Sequence, residues 1–167
     1  EMTASLDTFC RDYPDSRWFL AGAGATPGSL TLTVWDDLAG SSFLPSESEE
    51  LKRSGRQRSV PSVTVDSLLA DGSLAPPELV KLDVQGFEVA VLEGARGLFG
   101  VTEAFILETS LFRFMEGMPL FHELVAYMAA RDYFVYDFGG FLRRPHDGAL
   151  GQTDVCFARR EGVLRRN

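Results

Sequence analysis

Leu79-Val-Lys-Leu-Asp-Val-Gln-Gly-Phe-Glu88 is the stretch on which the reading of this chain turns. Leu79 to Val84 reads as an apolar strand ending at Asp83-Val-Gln-Gly86. Phe87 to Ala95 then reads as a helix, with Phe87, Val91 and Ala95, followed by Leu98 and Phe99, at helical spacing. Gln85-Gly86 lets the backbone turn tightly between the two. Ala104-Phe-Ile-Leu-Glu108 is a second apolar strand. Strand, helix and strand in that order make the unit of a parallel sheet. On such sheets ligands bind beyond the carboxyl ends of the strands, which selects Asp83 and Glu108. If the two strands are neighbours, both carboxylates face one crevice.

Working outward, residues 1–15 fit the end of a helix with Leu6, Phe9 and Cys10 on one face, and Arg17 to Ala21 a short apolar strand. After Gly22-Ala-Gly-Ala-Thr-Pro-Gly28, Leu30, Leu32 and Val34 alternate with Thr31 and Thr33, the period of a half-buried strand. Residues 36–62 are rich in Ser, Gly, Glu and Arg and are expected to form a long surface loop. Asp66 is expected to cap a short helix from Ser67 to Ala70. Pro119, at a first helical position, opens a helix carrying Leu120, Phe121, Leu124, Val125 and Met128 as its apolar stripe. Tyr133 to Phe138 and Thr153 to Ala158 are two further strands. The predicted architecture is α/β, with a mostly parallel sheet closed by a final antiparallel strand pair.

The chain has 167 residues and 45% hydrophobic content, enough for one domain with a sizeable core. Its formal charge of −8 argues against nonspecific binding to nucleic acid, which requires a basic face. No apolar run approaches the ~20 residues of a membrane span, and the polar N-terminus does not resemble a signal peptide. Cys10 and Cys156 are far apart and outside any metal-binding spacing. They read as reduced thiols of a cytoplasmic protein.

A carboxylate taken from water needs a partner, so Lys81, two residues before Asp83, suggests the bland alternative of an internal Lys81–Asp83 or Lys81–Glu108 ion pair. Glu88 falls in the first turn of its helix, where the dipole favours a negative charge, and it also borders the strand-end crevice. The glycines from Gly22 to Gly28 would form a phosphate loop only if a helix followed, and the Leu/Thr alternation argues for a strand instead. His146, in Arg143-Arg-Pro-His-Asp147, is a loop histidine that could reach a substrate; His122, beside apolar positions of the helix after Pro119, reads as a packed or partly exposed helix residue. No metal constellation and no nucleophile elbow is present.

Val63-Thr-Val-Asp-Ser-Leu-Leu69, Leu79 to Glu88, Val91-Leu-Glu-Gly-Ala95, Phe105-Ile-Leu-Glu108 and Tyr133-Phe-Val-Tyr-Asp137 together resemble the FkbM-type methyltransferases. Ala23-Gly24, Gly28 and the Ser41-Ser42 pair fit the same order. The resemblance runs from about Arg17 to Ala158. It implies a Rossmann-like class I methyltransferase fold and methyl transfer from S-adenosylmethionine to a hydroxyl oxygen, with sugars and polyketide hydroxyls among the family's acceptors. By that resemblance Ala23, Gly24, Asp83, Gln85 and Gly86 would contact the cofactor. Asp83, Glu108 and His146 would be the catalytic candidates, in that order, and Glu88 and Glu108 would line the acceptor pocket.

Relative to the family, the chain starts after the first strand, the Gly-rich donor loop and the acid-ended second strand. The expectation is therefore an N-terminally truncated domain with unpaired edges and an uncovered apolar sheet face. Two rival readings are a nucleotide-dependent oxidoreductase, which would need a Gly-rich loop leading into a helix, and a non-catalytic α/β module that binds a partner. The truncated reading predicts that this chain binds S-adenosylmethionine weakly or not at all; low-micromolar binding in calorimetry would overturn it.

Overall fold

In the computed structural model, which describes residues 2–36, 40–44 and 49–166, the chain forms two small sheets joined through short helices. Helix α1 (Thr3–Asp12) precedes strands β1 (Gly22–Ala23) and β2 (Gly28–Thr33), helix α2 (Glu49–Arg53), strand β3 (Gln57–Val63) and helix α3 (Val65–Ala70). Then come β4 (Leu79–Leu82), α4 (Glu88–Glu93), β5 (Ala104–Ser110), α5 (Phe121–Ala129), β6 (Tyr133–Arg143) and β7 (Leu150–Arg159).

The first sheet has the order β1-β3-β2, with β1 parallel and β2 antiparallel to β3. Three expectations change here. Residues 17–21 are not a strand; the pairing falls on Gly22 and Ala23, opposite Ser62 and Val63. The span 36–62 is not one surface loop, because it contains α2 and the central strand β3; residues 37–39 and 45–48 of that span lie outside the described residues. β3 escapes a periodicity search because Arg58, Ser59, Pro61 and Ser62 dilute its apolar signal. Pro61 is tolerated because β1 pairs only with Ser62 and Val63, so β3 still has a free edge beside the missing N–H. Thirdly, Thr64 rather than Asp66 caps α3, its hydroxyl accepting the Ser67 N–H at 3.0 Å. Asp66 instead accepts the backbone N–H groups of Arg96 and Gly97 at 3.0 and 2.8 Å, tying α3 to the turn after α4.

The second sheet has the order β4-β5-β7-β6. β4 and β5 are parallel, while β7 pairs antiparallel with both β5 and β6. Three strands thus run one way and β7 alone reverses between two of them. The expected final antiparallel pair is present, but the sheets are not mostly parallel: β2–β3, β5–β7 and β6–β7 outnumber β1–β3 and β4–β5. A parallel pair needs a crossover of a dozen residues or more. In this sheet only β4–α4–β5 supplies one between neighbouring strands, whereas β7 follows β6 through a short turn.

Alternation along the strands divides the second sheet into two faces. Phe105 and Leu107 of β5, with Val155 and Phe157 of β7, are fully buried against Leu92 of α4 and Leu124 and Met128 of α5. The apolar stripe of α5 is therefore the one its spacing predicts, although the helix begins at Phe121 and Pro119 precedes it. Glu123 reaches back to accept the Leu120 N–H at 2.6 Å and closes the first turn. The opposite face carries Lys81, Ile106, Glu108, Gln152, Asp154 and Cys156. It is polar toward the carboxyl ends of β4 and β5, whereas nearer their starts it carries Leu79, which is 55% exposed, and Ala104. No helix among the described residues is long and apolar enough to cross a membrane.

The two sheets meet at α4. Gly94 accepts the Asp66 N–H through its carbonyl at 2.8 Å, and its α-carbon packs on Gly24 so closely that a Cβ would run into the Gly24 carbonyl. Gly94→Ala is expected to cost about 1–3 kcal/mol of stability through overpacking. Gly139→Ala, with nothing within 4 Å of an added Cβ, is expected to cost none, and urea unfolding of the pair compares them.

Candidate active site

β4 ends at Leu82, and the chain must then turn back into α4 within five residues. It does so through two consecutive left-handed residues, Gln85 at φ 51° and Gly86 at φ 92°. Gly86 is required twice over, since a Cβ there would also sit 2.6 Å from Leu44 Cδ1. For Gln85 the same conformation costs on the order of 1–3 kcal/mol. Its own hydrogen bonds hold it there. Ser42 donates its hydroxyl to the Gln85 carbonyl at 2.7 Å, and the Gln85 side-chain amide donates to Asp83 Oδ1 and Glu108 Oε2, each at 2.9 Å.

The two carboxylates expected to share a crevice therefore do so, bridged by Gln85. Glu108 projects from β5, which is parallel to β4, and lies on the same face as Asp83. Its Oε2 accepts a second amide proton from Gln152 at 3.1 Å, and Gln152 also approaches Ser110 Oγ at 3.4 Å. Lys81 pairs with Asp154 at 3.1 Å and Asp83 at 3.5 Å. The Lys81–Asp83 contact considered from the sequence is thus present, and Asp154 takes the place proposed there for Glu108. Partial burial lowers the Lys81 pKa, but Asp154 and then Asp83 outweigh it, and the net shift is upward. Glu108 is pushed up to about 7, first by burial and then by the charges of Asp83, Glu88 and Asp154, with Lys81 opposing.

Glu88 is only 2% exposed and is turned under the loop, where Oε1 accepts the Gly86 N–H at 3.2 Å and the Val84 N–H at 3.4 Å. It braces the turn instead of lining an open pocket. Burial raises its pKa, partly offset by those backbone amides. His146 lies exposed in the β6–β7 turn with Asp147 as its ionic neighbour at 3.6 Å. Ala23 ends β1 and Gly24 follows it, its N–H donating to the Val63 carbonyl at 3.0 Å. Gly24 is buried, and a Cβ on it would touch Ser62 and Leu30 at 3.1 and 3.2 Å. This is a packed strand end followed by β2, as the Leu/Thr alternation predicts, and not an open phosphate loop. His122 is exposed on α5. The reading of the sequence missed Gln152 and Asp154. Their signal was available in the alternation of Gln152, Asp154 and Cys156 with Thr153, Val155 and Phe157.

The raised Glu108 has a consequence for stability. The native state keeps its proton up to about pH 7, whereas an unfolded chain releases it near the ordinary value of about 4.3. The proton's contribution is complete below that lower value, declines as pH rises between the two, and is gone above the upper one. Glu108→Gln is expected to remove this decline and to gain on the wild type in urea midpoints from about pH 4 to about pH 8. Glu88, shifted in the same direction, leaves a residual slope in both proteins.

The model of the methyltransferase FkbM domain covers residues 21–135 of the 167. No curated protein and no solved structure matches the chain. The matched span runs from the entry to β1 through β4, α4, β5 and α5 to the start of β6, and contains Asp83, Gln85, Glu88 and Glu108. Gln152 and Asp154 lie beyond it. The mixed sheets with a single reversed strand in the second are consistent with a methyltransferase fold, and the chain belongs to the FkbM methyltransferase domain family.

Proposed function

We propose that this domain transfers a methyl group from S-adenosylmethionine to a hydroxyl oxygen of a sugar or other small-molecule acceptor, with Glu108 as the base. The observation that carries this reading is the amide-bridged pair Asp83–Gln85–Glu108 at the carboxyl ends of two parallel strands. When bound, the cofactor would supply an electrophilic methyl group on a sulfonium cation. The chemistry of the cluster suits that cation: Asp83, Glu108 and Asp154 surround a single Lys81. Asp83, Gln85 and Gly86 would face the donor. Ala23 and Gly24 support its edge only through packing.

An alcohol is a poor nucleophile until its proton is taken. Glu108 is suited to that task because its pKa of about 7 matches the working pH. Both amides hold Oε2, which leaves Oε1 to receive the proton. Asp83, half-exposed and paired with Lys81, is better suited to orienting the acceptor and facing the positive donor, so the geometry favours Glu108 over Asp83 as base. The free thiols Cys10 and Cys156 suit the reducing cytoplasm.

In a form of the domain extended to include the family's donor-binding strands, and with labelled S-adenosylmethionine, Glu108→Gln is expected to lower turnover by about 10²–10⁴-fold, the usual worth of a general base. Asp83→Asn should also remove most turnover. The wild-type rate should rise with pH through the Glu108 pKa of about 7. Full turnover in Glu108→Gln would overturn the assignment of the base.

A further inference from the structure

Lys81 sits on β4, yet its nearer partner is on β7. Its ammonium lies 3.1 Å from both carboxylate oxygens of Asp154 and 3.5 Å from Asp83. β5 runs between those two strands, and neighbouring strands are about 4.8 Å apart, so the lysine must lie across β5 to make the pair. Lys81 is the register partner of Ile106, and Asp154 that of Glu108. The side chain therefore crosses β5 on the face that carries Glu108 and ends at the residue opposite it.

Asp154 is seated for this pairing by an irregularity in β6. Gly139 is opposite Asp154, and the register shifts between Gly139 and Leu142. The Thr153 hydroxyl donates to the Gly139 carbonyl at 2.8 Å. Gly140 then takes a left-handed conformation at φ 57°, and a Cβ there would sit 2.9 Å from Asp154 Oδ2. The carboxylate occupies the space that a side chain at this position would fill.

An ammonium within about 4–6 Å of a carboxylate favours the ionised form and lowers its pKa. The charged groups facing Glu108 are Lys81 and Asp83 from β4 and the turn after it, Glu88 from α4 and Asp154 from β7. Burial raises the Glu108 pKa first, the three carboxylates raise it further, and Lys81 opposes them. How strongly Lys81 opposes them depends on where its ammonium is held. The hydrogen bonds to Glu108 come from two neutral amides, Gln85 and Gln152.

We propose that Asp154 is a positioning residue for Glu108: by anchoring the Lys81 ammonium on β7, it keeps the lysine from pairing with the carboxylate that takes the acceptor's proton. The role of Glu108 rests on the methyltransferase reading above; the placement of the lysine does not. Asp154 lies beyond the residues matched to the family, so the family match assigns it no role.

Carboxyl-carbon NMR titration of Glu108 in the full chain tests this with no methyl donor present. In Asp154→Asn the Glu108 midpoint is expected to fall from about 7 by about one pH unit or more, as Lys81 turns to it. Loss of the Asp154 charge would lower the midpoint even with the lysine unmoved, so the deciding measurement is Lys81→Met in both backgrounds. Removing the lysine should raise the midpoint by about one pH unit more in Asp154→Asn than in the wild type. Gly140→Ala, which crowds the Asp154 carboxylate and leaves every charge in place, should also lower the midpoint. A purely structural role for Asp154 would change melting temperatures and make the effect of Lys81→Met the same in both backgrounds. The proposal is overturned by that equality, or if the midpoint holds in Asp154→Asn or in Gly140→Ala. Midpoints as expected without methyl transfer would instead count against the enzymatic reading alone.

Discussion

The hydrogen bonds of one side-chain amide hold the candidate site together. Gln85 occupies a left-handed conformation that a residue with a Cβ adopts at some cost. Only from there does its amide reach back to Asp83 and across to Glu108. A right-handed residue at this position would send the side chain elsewhere and leave two carboxylates facing each other unbridged. The strain is met by contacts from distant sequence: Ser42 on the Gln85 carbonyl, Leu44 and Met118 against Gly86, and the buried Glu88 beneath both amides of the turn. The loop after β2 and the turn after β4 therefore form one structural unit, although 43 residues separate Ser42 from Gln85.

Much of this was legible in local sequence. The apolar runs at Leu79 and Ala104 and the Gln-Gly step between strand and helix identify β4, β5 and the position of Asp83 and Glu108, because these features depend on neighbours within a few residues. The stripe on α5 was equally readable. What was not readable depended on pairing across the chain. β3 carries arginine, serine and proline where a strand pattern would show valine or isoleucine, and it is a strand because β1 and β2 pair with it. The direction of β7 follows from its short turn with β6, but its insertion between β5 and β6 does not. That insertion brings Gln152 and Asp154 to the site.

Glu88 illustrates a different limit. Its position in the sequence, five residues after Asp83, suits a pocket as well as a helix start. The choice depends on side-chain direction, which alternation cannot assign at a turn. The structure uses it as a buried acceptor for two backbone N–H groups that would otherwise lack a partner. Conserving the charge type while burying it would leave the turn intact, whereas an apolar replacement would strand both amides.

The placement of Asp154 determines what Glu108 can do. One lysine serves this face of the sheet, and an adjacent ammonium would hold a carboxyl well below its ordinary range. A glutamate in that state would be too weak a base to assist an alcohol near neutral pH. Asp154, directly opposite Glu108 in the β5–β7 register, takes Lys81 for itself and shares it with Asp83. Glu108 is left with two neutral amides, which fix its orientation without the charge that would fully stabilise its anion. The reversed strand thus supplies both a residue that pairs with the cation and an amide that orients Glu108, whose pKa is raised first by burial and then by Asp83, Glu88 and Asp154.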